Sequence, residues 1–381
     1  MGSAPAPGAV FRALAENLGA PKRAKRSFQF LVQNAGRGAR SATPGAGVLP
    51  SAGGFMNFRH AKTFLLGAIA LGFLASLFAE RINPYWLYIF YDIGIGIVMA
   101  VSLNLINGYT GQFSLGHAGF MAVGAYTSAI ITNQFGELSF FAANGIFAVA
   151  LFAGGLAAAV AGLLVGIPTL RLRGDYLAIV TLGFGEIIRV ILQNMQCVGG
   201  ARGLSVMHGW TNLFWAFGLA AVTVYVVASL VNSTYGRGFI AVHDDEIAAE
   251  AMGINTTKYK VTAFVVGAFF AGIAGGLYAH SKQFLTPGGF GFMQSITFVV
   301  MVILGGMGNT IGVILAAVLL TLLPEGLRML SGIEHLPGFA AERPLGWIGD
   351  TRMIIYSLLL IVLMLTRPQG LFSLKKSSAS K

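Results

Sequence analysis

Cysteine and charge are both scarce in this sequence, and each shortage restricts what the chain can be. Its one cysteine, Cys197, cannot form an internal disulfide, and no second cysteine or His pair accompanies it at metal-ligand spacing. Only 10% of the 381 residues are charged, whereas about 25% are charged in an average soluble domain. The composition argues against a soluble globular protein, and Cys197 is interpreted as a structural thiol.

The sequence motifs of common enzyme sites are missing as well. There is no G-x-x-x-x-G-K-S/T phosphate loop, no H-E-x-x-H zinc motif and no G-x-S-x-G nucleophile motif. None of the six histidines pairs with a cysteine or a second histidine at metal-binding spacing. We therefore expect a protein that is not an enzyme, with no catalytic residue, no metal site and no cofactor bound by the chain itself.

Long hydrophobic runs dominate the rest of the chain, which is 55% hydrophobic. An α-helix needs about 20 apolar residues to cross a hydrocarbon core of about 30 Å. The runs predict an all-α polytopic protein that lies in a lipid bilayer. We expect about ten transmembrane helices, near residues 62–79, 85–106, 115–133, 143–167, 175–194, 212–231, 260–280, 292–308, 310–328 and 350–366.

Basic residues are concentrated in alternate loops, and this pattern predicts how the chain is oriented. They cluster in residues 1–62, 171–173, 237–260 and 367–381. Because cytoplasmic loops are enriched in Lys and Arg, we place both termini and the 232–259 loop in the cytoplasm. The net charge of +11 is then explained by membrane orientation, and no nucleic-acid partner is expected.

The beginning of the chain differs in composition from the remainder. Residues 1–60 are rich in Gly, Ala, Pro and Ser, carry several bases and contain one acid, Glu16. Such a segment buries too little apolar surface to offset its ordering entropy, so we predict a disordered basic cytoplasmic tail. An organelle transit peptide is an alternative interpretation, and Met56 is an alternative natural start. A transmembrane domain is expected over 61–372, followed by a cytoplasmic tail over 373–381.

Four of the 14 acidic residues lie in one short stretch of the 232–259 loop, HDDEIAAEAMGIN. Asp244 or Asp245 can cap the start of a short helix there, and Gly253 suits its end. Its apolar stripe is Ile247, Ala248, Ala251 and Met252. A solvated connector needs no such stripe, so the 244–253 helix is interpreted as one that docks into a partner's groove. The predicted contact residues are Asp244, Asp245, Glu246, Ile247, Ala248, Ala249, Glu250, Ala251, Met252 and Gly253.

A stretch rich in glycine and polar side chains, NGYTGQFSLGHAGFMAVGAY, interrupts the hydrophobic pattern between the second and third spans. Irregular backbone at membrane depth is tolerated where it is buried in protein or lines a wet cavity. Gln112, Ser114 and His117 are therefore candidates for the lining of a translocation pathway. Alternatively, the glycines serve close helix packing. A second break, ILGGMGNTIG, allows the same two interpretations.

Glu186 and Arg189 are ionisable residues inside the fifth predicted span. Their i, i+3 spacing lets the two side chains pair on one helix face. One interpretation makes them pathway or gate residues, since intramembrane charges usually face a bundle interior or a cavity. The other, which we favour from the sequence, makes them a mutually neutralised pair near the outer end of the helix.

Six blocks of the sequence occur in a characteristic order: NLINGYTGQFSLGHAGFMAVGAY, GDYLAIVTLGFGEIIRVILQN, YGRGFIAVHDDEIAAEAMGIN, AFVVGAFFAGIAGGLYAH, MVILGGMGNTIG and RPQGLF. Taken together, they resemble the LivM-type permease of branched-chain amino acid ABC importers. The likeness runs from about residue 62 to residue 372, and one departure is VGGARGL, with Val198 in place of the family's usual Thr.

The resemblance implies a type II importer-like fold with inverted repeats, in the plasma (inner) membrane. It also implies partners: a second, LivH-like permease, two cytoplasmic ATPase subunits that bind ATP and Mg, and a periplasmic or surface substrate-binding protein. The 244–253 helix would be the coupling helix, which family members place between spans six and seven. Alternatives are the same machine with urea or short amides as cargo, an ion-coupled secondary transporter and a membrane-embedded enzyme.

Overall fold

The computed structural model describes residues 83–136, 139–169 and 175–331, together with a few isolated positions. The predicted tails at 1–60 and 373–381 lie outside these described residues. The predicted spans 62–79 and 350–366 also lie outside them, apart from isolated positions.

Helices make up nearly all of the regular structure in the described residues. One extra turn, Leu105–Tyr109, continues the first helix with π-helical bonding, and short 3-10 turns cover Gln196–Val198, Gly200–Arg202 and Pro287–Phe290. The α-helices are α1 (Pro84–Asn104), α2 (His117–Thr132), α3 (Phe140–Thr169), α4 (Asp175–Asn194), α5 (Leu213–Asn232), α6 (Thr234–Asp244), α7 (Glu246–Ala251), α8 (Thr256–Lys282), α9 (Phe292–Gly305) and α10 (Thr310–Ser331).

Most of the predicted spans correspond to helices that could cross a membrane, which confirms an all-α multi-pass protein. Seven such stretches occur in the described residues: Pro84–Tyr109, Phe141–Ile167, Tyr176–Asn194, Leu213–Asn232, Thr256–Lys282, Pro287–Gly305 and Thr310–Met329. The predicted span 115–133 is α2, which has only 16 residues. At 1.5 Å per residue, α2 is about 24 Å long and does not by itself cross a hydrocarbon core of about 30 Å.

The helices α2, α3 and α8 pack against one another at the centre of the described residues. Their contacts are built on glycines: a methyl group on Gly124 of α2 would overlap the carbonyl oxygen of Gly272 in α8. A methyl group on Gly154 of α3 would lie 2.8 Å from the carbonyl oxygen of Gly124. Small residues of this kind allow membrane helices to approach closely. The packing interpretation of the glycine-rich stretch is therefore correct for Gly124.

The helices begin in two different ways. At α1, α5 and α8 an asparagine side chain accepts a backbone N–H of the first turn, as Asn83 does from Tyr85 at 3.0 Å. In contrast, α2 and α9 begin at Gly116 and Gly291, which make no side-chain cap bond. Both of these helices are short, with 16 and 14 residues. In α2 the first-turn N–H of Ala118 donates instead to Oγ of Ser295 in α9, at 3.2 Å.

Contacts between distant segments sort the described loops into two ends of the molecule. At one end Lys282 Nζ donates to Asp92 Oδ2 at 2.9 Å, and strands β1 (Leu204–Ser205) and β2 (Phe284–Leu285) pair antiparallel with Leu204 opposite Leu285. At the other end the hydroxyl groups of Tyr109 and Thr310 lie 2.7 Å apart. This grouping agrees with the alternating helix directions expected from the sequence.

Candidate functional site

The acidic stretch contains the predicted short helix, which is α7, and the first residue of the predicted range, Asp244, belongs to the helix before it. Asp244 is the last residue of α6, and α7 covers only Glu246–Ala251. Between them Asp245 has an extended backbone, with φ −158°. Its Oδ1 accepts the N–H groups of Ile247 at 2.9 Å and Ala248 at 3.0 Å. Asp245, of the two predicted candidates, is thus the N-cap, and its extended backbone separates the helices.

The end of α7 matches the sequence-based expectation. Gly253 has a φ of +84°, a left-handed conformation that glycine adopts without the steric penalty of a Cβ atom. Its N–H donates to the Glu250 carbonyl at 3.0 Å, and the Ile254 N–H donates to the Ala249 carbonyl at 3.0 Å. These bonds satisfy carbonyls that a helix end would otherwise leave free.

The predicted apolar stripe of α7 faces away from the rest of the described chain. Ile247 is 66% exposed and Met252 is 83% exposed, and Ala248 and Ala251 are also exposed. Ala249, which is not part of the stripe, is the buried residue of the helix at 5% exposure. The helix therefore buries one alanine and presents its larger apolar side chains outward.

Glu246 points to a base of its own chain, although the sequence suggested a contact with a partner. Its Oε1 lies 2.6 Å from Nζ of Lys260, and the two side chains are 24% and 7% exposed. Lys260 was expected only as one of the cytoplasmic bases at the start of a span. Its burial is compatible with a charge because a carboxylate partner is at hand. The ion pair fastens α7 to the first turns of α8.

The predicted pathway residues of the glycine-rich stretch are deeply buried. Gln112 is 3% exposed, and Ser114 and His117 are 0% exposed. They follow the π-helical turn Leu105–Tyr109, a type of irregularity that is frequent at functional sites. Asn107 in this turn uses its Oδ1 to accept the N–H of Ser114 at 3.2 Å. Side chains of the turn thus order the irregular backbone that follows it.

His117 forms one hydrogen bond and leaves its other ring nitrogen without one in the described part of the chain. Its Nε2 lies 2.9 Å from Oγ of Ser102, which in turn donates to the Met99 carbonyl at 3.0 Å. Buried polar atoms nearby also lack partners among the described residues: Nδ2 of Asn104, Nδ2 of Asn107, both amide atoms of Gln112 and Oγ of Ser114. Because burying such atoms unpaired is costly, this region is suited to water or to a polar solute.

The end of α6 contacts this same stretch. A methyl group on Gly111, which has a φ of +67°, would lie 2.9 Å from Nδ1 of His243. Nearby, Oδ1 of Asn104 accepts the N–H of Gly308 at 2.9 Å. The segment that carries α7 is thereby in contact with the backbone between the π-helical turn and α2.

Glu186 and Arg189 form the ion pair that their spacing predicted. Arg189 Nε lies 2.6 Å from Glu186 Oε2, and the two side chains are 29% and 37% exposed. They lie beside a cavity of about 370 Å³. No hydrogen bond or ion pair among the described residues joins them to Gln112, Ser114 or His117. The predicted pathway residues therefore form two separate groups, one buried and one partly exposed.

Several residues that shape these groups were not predicted. Ser102 and Asn104 are polar residues within the apolar run of α1, and Ser295 of α9 accepts the N–H of Ala118 at 3.2 Å. An isolated polar residue inside a predicted span was the available signal for all three, because such residues are usually buried against protein. In the described residues no group of three or more His, Cys, Asp and Glu side chains is placed to hold a metal ion.

Comparison with known proteins agrees with these features. The family described as branched-chain amino acid transport system / permease component matches residues 85–364. The high-affinity branched-chain amino acid transport system permease protein LivM of Salmonella typhimurium is 35% identical over 74% of this chain and 68% of its own length. LivM of Escherichia coli K12 is 32% identical over 92% of this chain and 83% of its own.

A solved structure, PsaBC from Streptococcus pneumoniae in complex with Fab, superposes with a TM-score of 0.40 at 13% identity, over 75% of this chain and 93% of that chain. This likeness is too low to support an argument. The relatives are non-enzymatic transport subunits, and they do not favour the alternatives of another transporter class or an enzyme. The family match covers more than half of the chain, and this protein therefore belongs to the permease components of branched-chain amino acid transport systems.

Proposed function

We propose that this chain imports branched-chain amino acids as one of two permeases in an ATP-driven complex. Its partners are a second, LivH-like permease, two cytoplasmic ATPase subunits and a substrate-binding protein outside the membrane. ATP and Mg are bound by the ATPase subunits, and this chain performs no chemistry. The family assignment supports the permease role, and the names of the two LivM relatives support the cargo.

The observation that carries the ATPase contact is the uncovered apolar stripe of α7. Ile247 and Met252 are large apolar side chains, 66% and 83% exposed, on a helix with well-defined ends. A capped helix with an apolar face is suited to a hydrophobic groove on another protein. The ATPase subunits are the partners that such a helix would meet in the cytoplasm.

Two contacts provide a route from α7 to the membrane helices. The Glu246–Lys260 ion pair ties α7 to α8, and His243 lies against Gly111 at the start of the irregular stretch. Closure of the ATPase pair would push on α7, and these contacts would transfer the displacement to α8 and to the backbone before α2. Alternating access follows if the outward and inward states differ in this packing.

The pathway itself is proposed to include Gln112, Ser114 and His117 together with Glu186 and Arg189. The buried amide, hydroxyl and imidazole atoms that lack partners in the described residues support the first group. The half-exposed ion pair on a membrane helix supports the second. We further propose that both termini and α7 lie in the cytoplasm, as the distribution of Lys and Arg predicts.

Replacing Ile247 or Met252 by glutamate tests the ATPase contact in the complete complex. Each variant should lower co-purification of the ATPase subunits and amino acid uptake about tenfold or more, because a charge in a desolvated interface removes a dominant contact. The readouts are pull-down of the ATPase subunits and uptake of labelled leucine into proteoliposomes. Charge reversal of Asp245 and Glu246 should also impair coupling, but it additionally removes the cap of α7 and leaves Lys260 unpaired.

Met207→Glu is the matched control, because Met207 is 70% exposed and lies at the opposite end of the described helices. It should leave ATPase association unchanged. If both α7 variants bound the ATPase subunits and took up amino acid as the wild type does, this stripe would not be the coupling surface.

A further inference from the structure

A cavity lies between α4 and the turn that leads into α9. Its volume is about 370 Å³, within the range of about 300–1,000 Å³ that is common for small-molecule sites. Its walls combine an acid, a base, glycine backbone and apolar side chains: Glu186, Arg189, Gly288, Gly289, Gly291, Phe292, Met293 and Gln294.

The charged wall of this cavity belongs to a helix that is otherwise little covered. Only 17% of the apolar window of α4 is buried inside this chain, and Glu186 and Arg189 lie within that window. Ionisable side chains at membrane depth face protein or a wet cavity in nearly all cases, because exposure to lipid is costly. The Glu186–Arg189 ion pair, with its two atoms 2.6 Å apart, is therefore expected to face a water-filled cavity and not the lipid chains.

The opposite wall is the first turn of α9. This helix has 14 residues, about 21 Å at 1.5 Å per residue, so it spans a core of about 30 Å only together with the turn Pro287–Phe290 that precedes it. Its start at Gly291 has no side-chain cap. A methyl group on Gly291 would lie 3.9 Å from Cδ of Arg189 and 4.0 Å from Oε1 of Glu186. The positive end of the helix dipole is thus beside the ion pair.

We propose that this cavity recognises the zwitterionic backbone of an α-amino acid during transport. Arg189 and the start of α9 bind the carboxylate, Glu186 binds the ammonium group, and the exposed side chains of Phe292 and Met293 contact the apolar side chain. The proposal rests on the proposed function and specifies where the cargo is distinguished. It replaces the sequence-based preference for a merely neutralised pair.

The chemistry of the exchange explains why a zwitterion is favoured. When the cargo binds, Arg189 exchanges the carboxylate of Glu186 for the carboxylate of the cargo. Glu186 exchanges the guanidinium group of Arg189 for the ammonium group of the cargo. No charge is therefore left unpaired. Urea, a short amide or a compound with one of the two charges cannot replace both partners. A site strongly rejects a ligand when binding that ligand leaves polar groups of the site without partners.

Protection of a cysteine in the cavity tests the ligand class directly. In the complete complex, Cys197→Ser removes the native thiol and Met293→Cys introduces one where the side chain is 75% exposed. Leucine should slow its modification by a maleimide, whereas isocaproate, which lacks the ammonium group, and isoamylamine, which lacks the carboxylate, should not. Equal protection by all three compounds, or none by leucine, would overturn the proposal.

Charge removal provides the second test. Glu186→Gln and Arg189→Gln should each abolish leucine protection and lower leucine uptake per ATP hydrolysed about tenfold or more, the effect of losing a hydrogen bond to a charged group. ATP hydrolysis stimulated by the loaded binding protein should remain. Asp92→Asn and Lys282→Gln break an ion pair of similar exposure, 36% and 34%, and should change neither quantity.

The exchanged pair, Glu186→Arg with Arg189→Glu, separates recognition from a structural ion pair. It keeps the two charges together but reverses their order along α4, which inverts the orientation in which the cargo could bind, so uptake should stay low. Recovery to the wild-type level would assign the pair a structural role and overturn the proposal. Absence of leucine uptake by the wild-type complex would instead reject the proposed function itself.

Discussion

At the scale of single residues, glycines determine how near the central helices come to one another. Gly124 is the clearest case, because the carbonyl oxygen of Gly272 and the backbone of Gly154 occupy the space that a side chain would need. In a bilayer no hydrophobic force favours helix association over lipid contact, so stability depends on this close packing. The cost of adding even one methyl group should therefore be measurable.

Gly124→Ala should lower the stability of the purified protein by about 1–3 kcal/mol, the usual cost of overpacking a close contact. A thermal unfolding series in detergent measures the effect. Gly183→Ala is the control, since a methyl group there meets no atom within 4 Å, and it should be neutral or slightly stabilising because alanine favours the helix. Equal melting temperatures for the two variants would contradict the packing argument.

Residue identity alone did not reveal the direction in which Glu246 points. The acidic stretch and its cap were predictable because capping is local: Asp245 and Gly253 perform the roles that their types suggest. Glu246 depends instead on Lys260, 14 positions further along the chain, on a different helix. A contact between elements has no signature in the spacing of one element, which is why the pairing of Glu246 with Lys260 was not predicted.

At the scale of elements, α7 is a six-residue helix that is too short to be stable by itself. Isolated helices shorter than about 12–15 residues are marginal in water. The cap bonds of Asp245, the burial of Ala249 and the ion pair to Lys260 together hold it in place. Loss of any of them should affect local order before it affects the membrane helices.

The two partners of this ion pair should not be equally sensitive. Glu246→Gln should cost about 1–3 kcal/mol, because it leaves the ammonium group of Lys260 buried without its carboxylate. Lys260→Met should cost less, since Glu246 is 24% exposed and can turn to water. Hydrogen exchange of the α7 amides reports the local loss of order. A larger effect of the lysine change would contradict this explanation.

The bounds of α9 show what periodicity predicts at the element scale. Residues 292–308 were expected as one membrane span, and α9 begins at Phe292 and ends at Gly305. The 3-10 turn Pro287–Phe290 before it was not predicted, because the apolar run gives no sign of how the chain leads into the helix. The cavity beside this turn became visible only with the position of α4 next to it.

At the scale of the whole molecule, the predicted orientation makes the two ends chemically distinct. Residues near α7 should face the cytoplasm, and the loop from Gln196 to Thr211 should face the outside. The alternating directions of the helices could be predicted, because they follow from the lengths of the apolar runs and from the positions of Lys and Arg. Both can be read directly from the sequence. Which end faces the cytoplasm is a prediction that a single measurement checks.

Labelling with a membrane-impermeant maleimide in intact cells makes that measurement. In a Cys197→Ser background, Met207→Cys should be labelled from outside, whereas Met252→Cys should be labelled only after the membrane is opened. Because the proposed ATPase contact would cover residue 252, the chain is expressed without the ATPase subunits, and both side chains are then well exposed, at 70% and 83%. Labelling of Met252→Cys in closed cells would reverse the topology and with it the ATPase contact.

The π-helical turn Leu105–Tyr109 lies where α1 gives way to the irregular stretch that leads to α2. Its i→i+5 bonding stores one residue more than an α-helical turn would hold. If the wide turn migrated along α1, each residue passed would advance by about 1.5 Å and rotate by about 100°. Such a shift would carry Asn104 and Asn107 away from the N–H groups of Gly308 and Ser114 that their Oδ1 atoms accept.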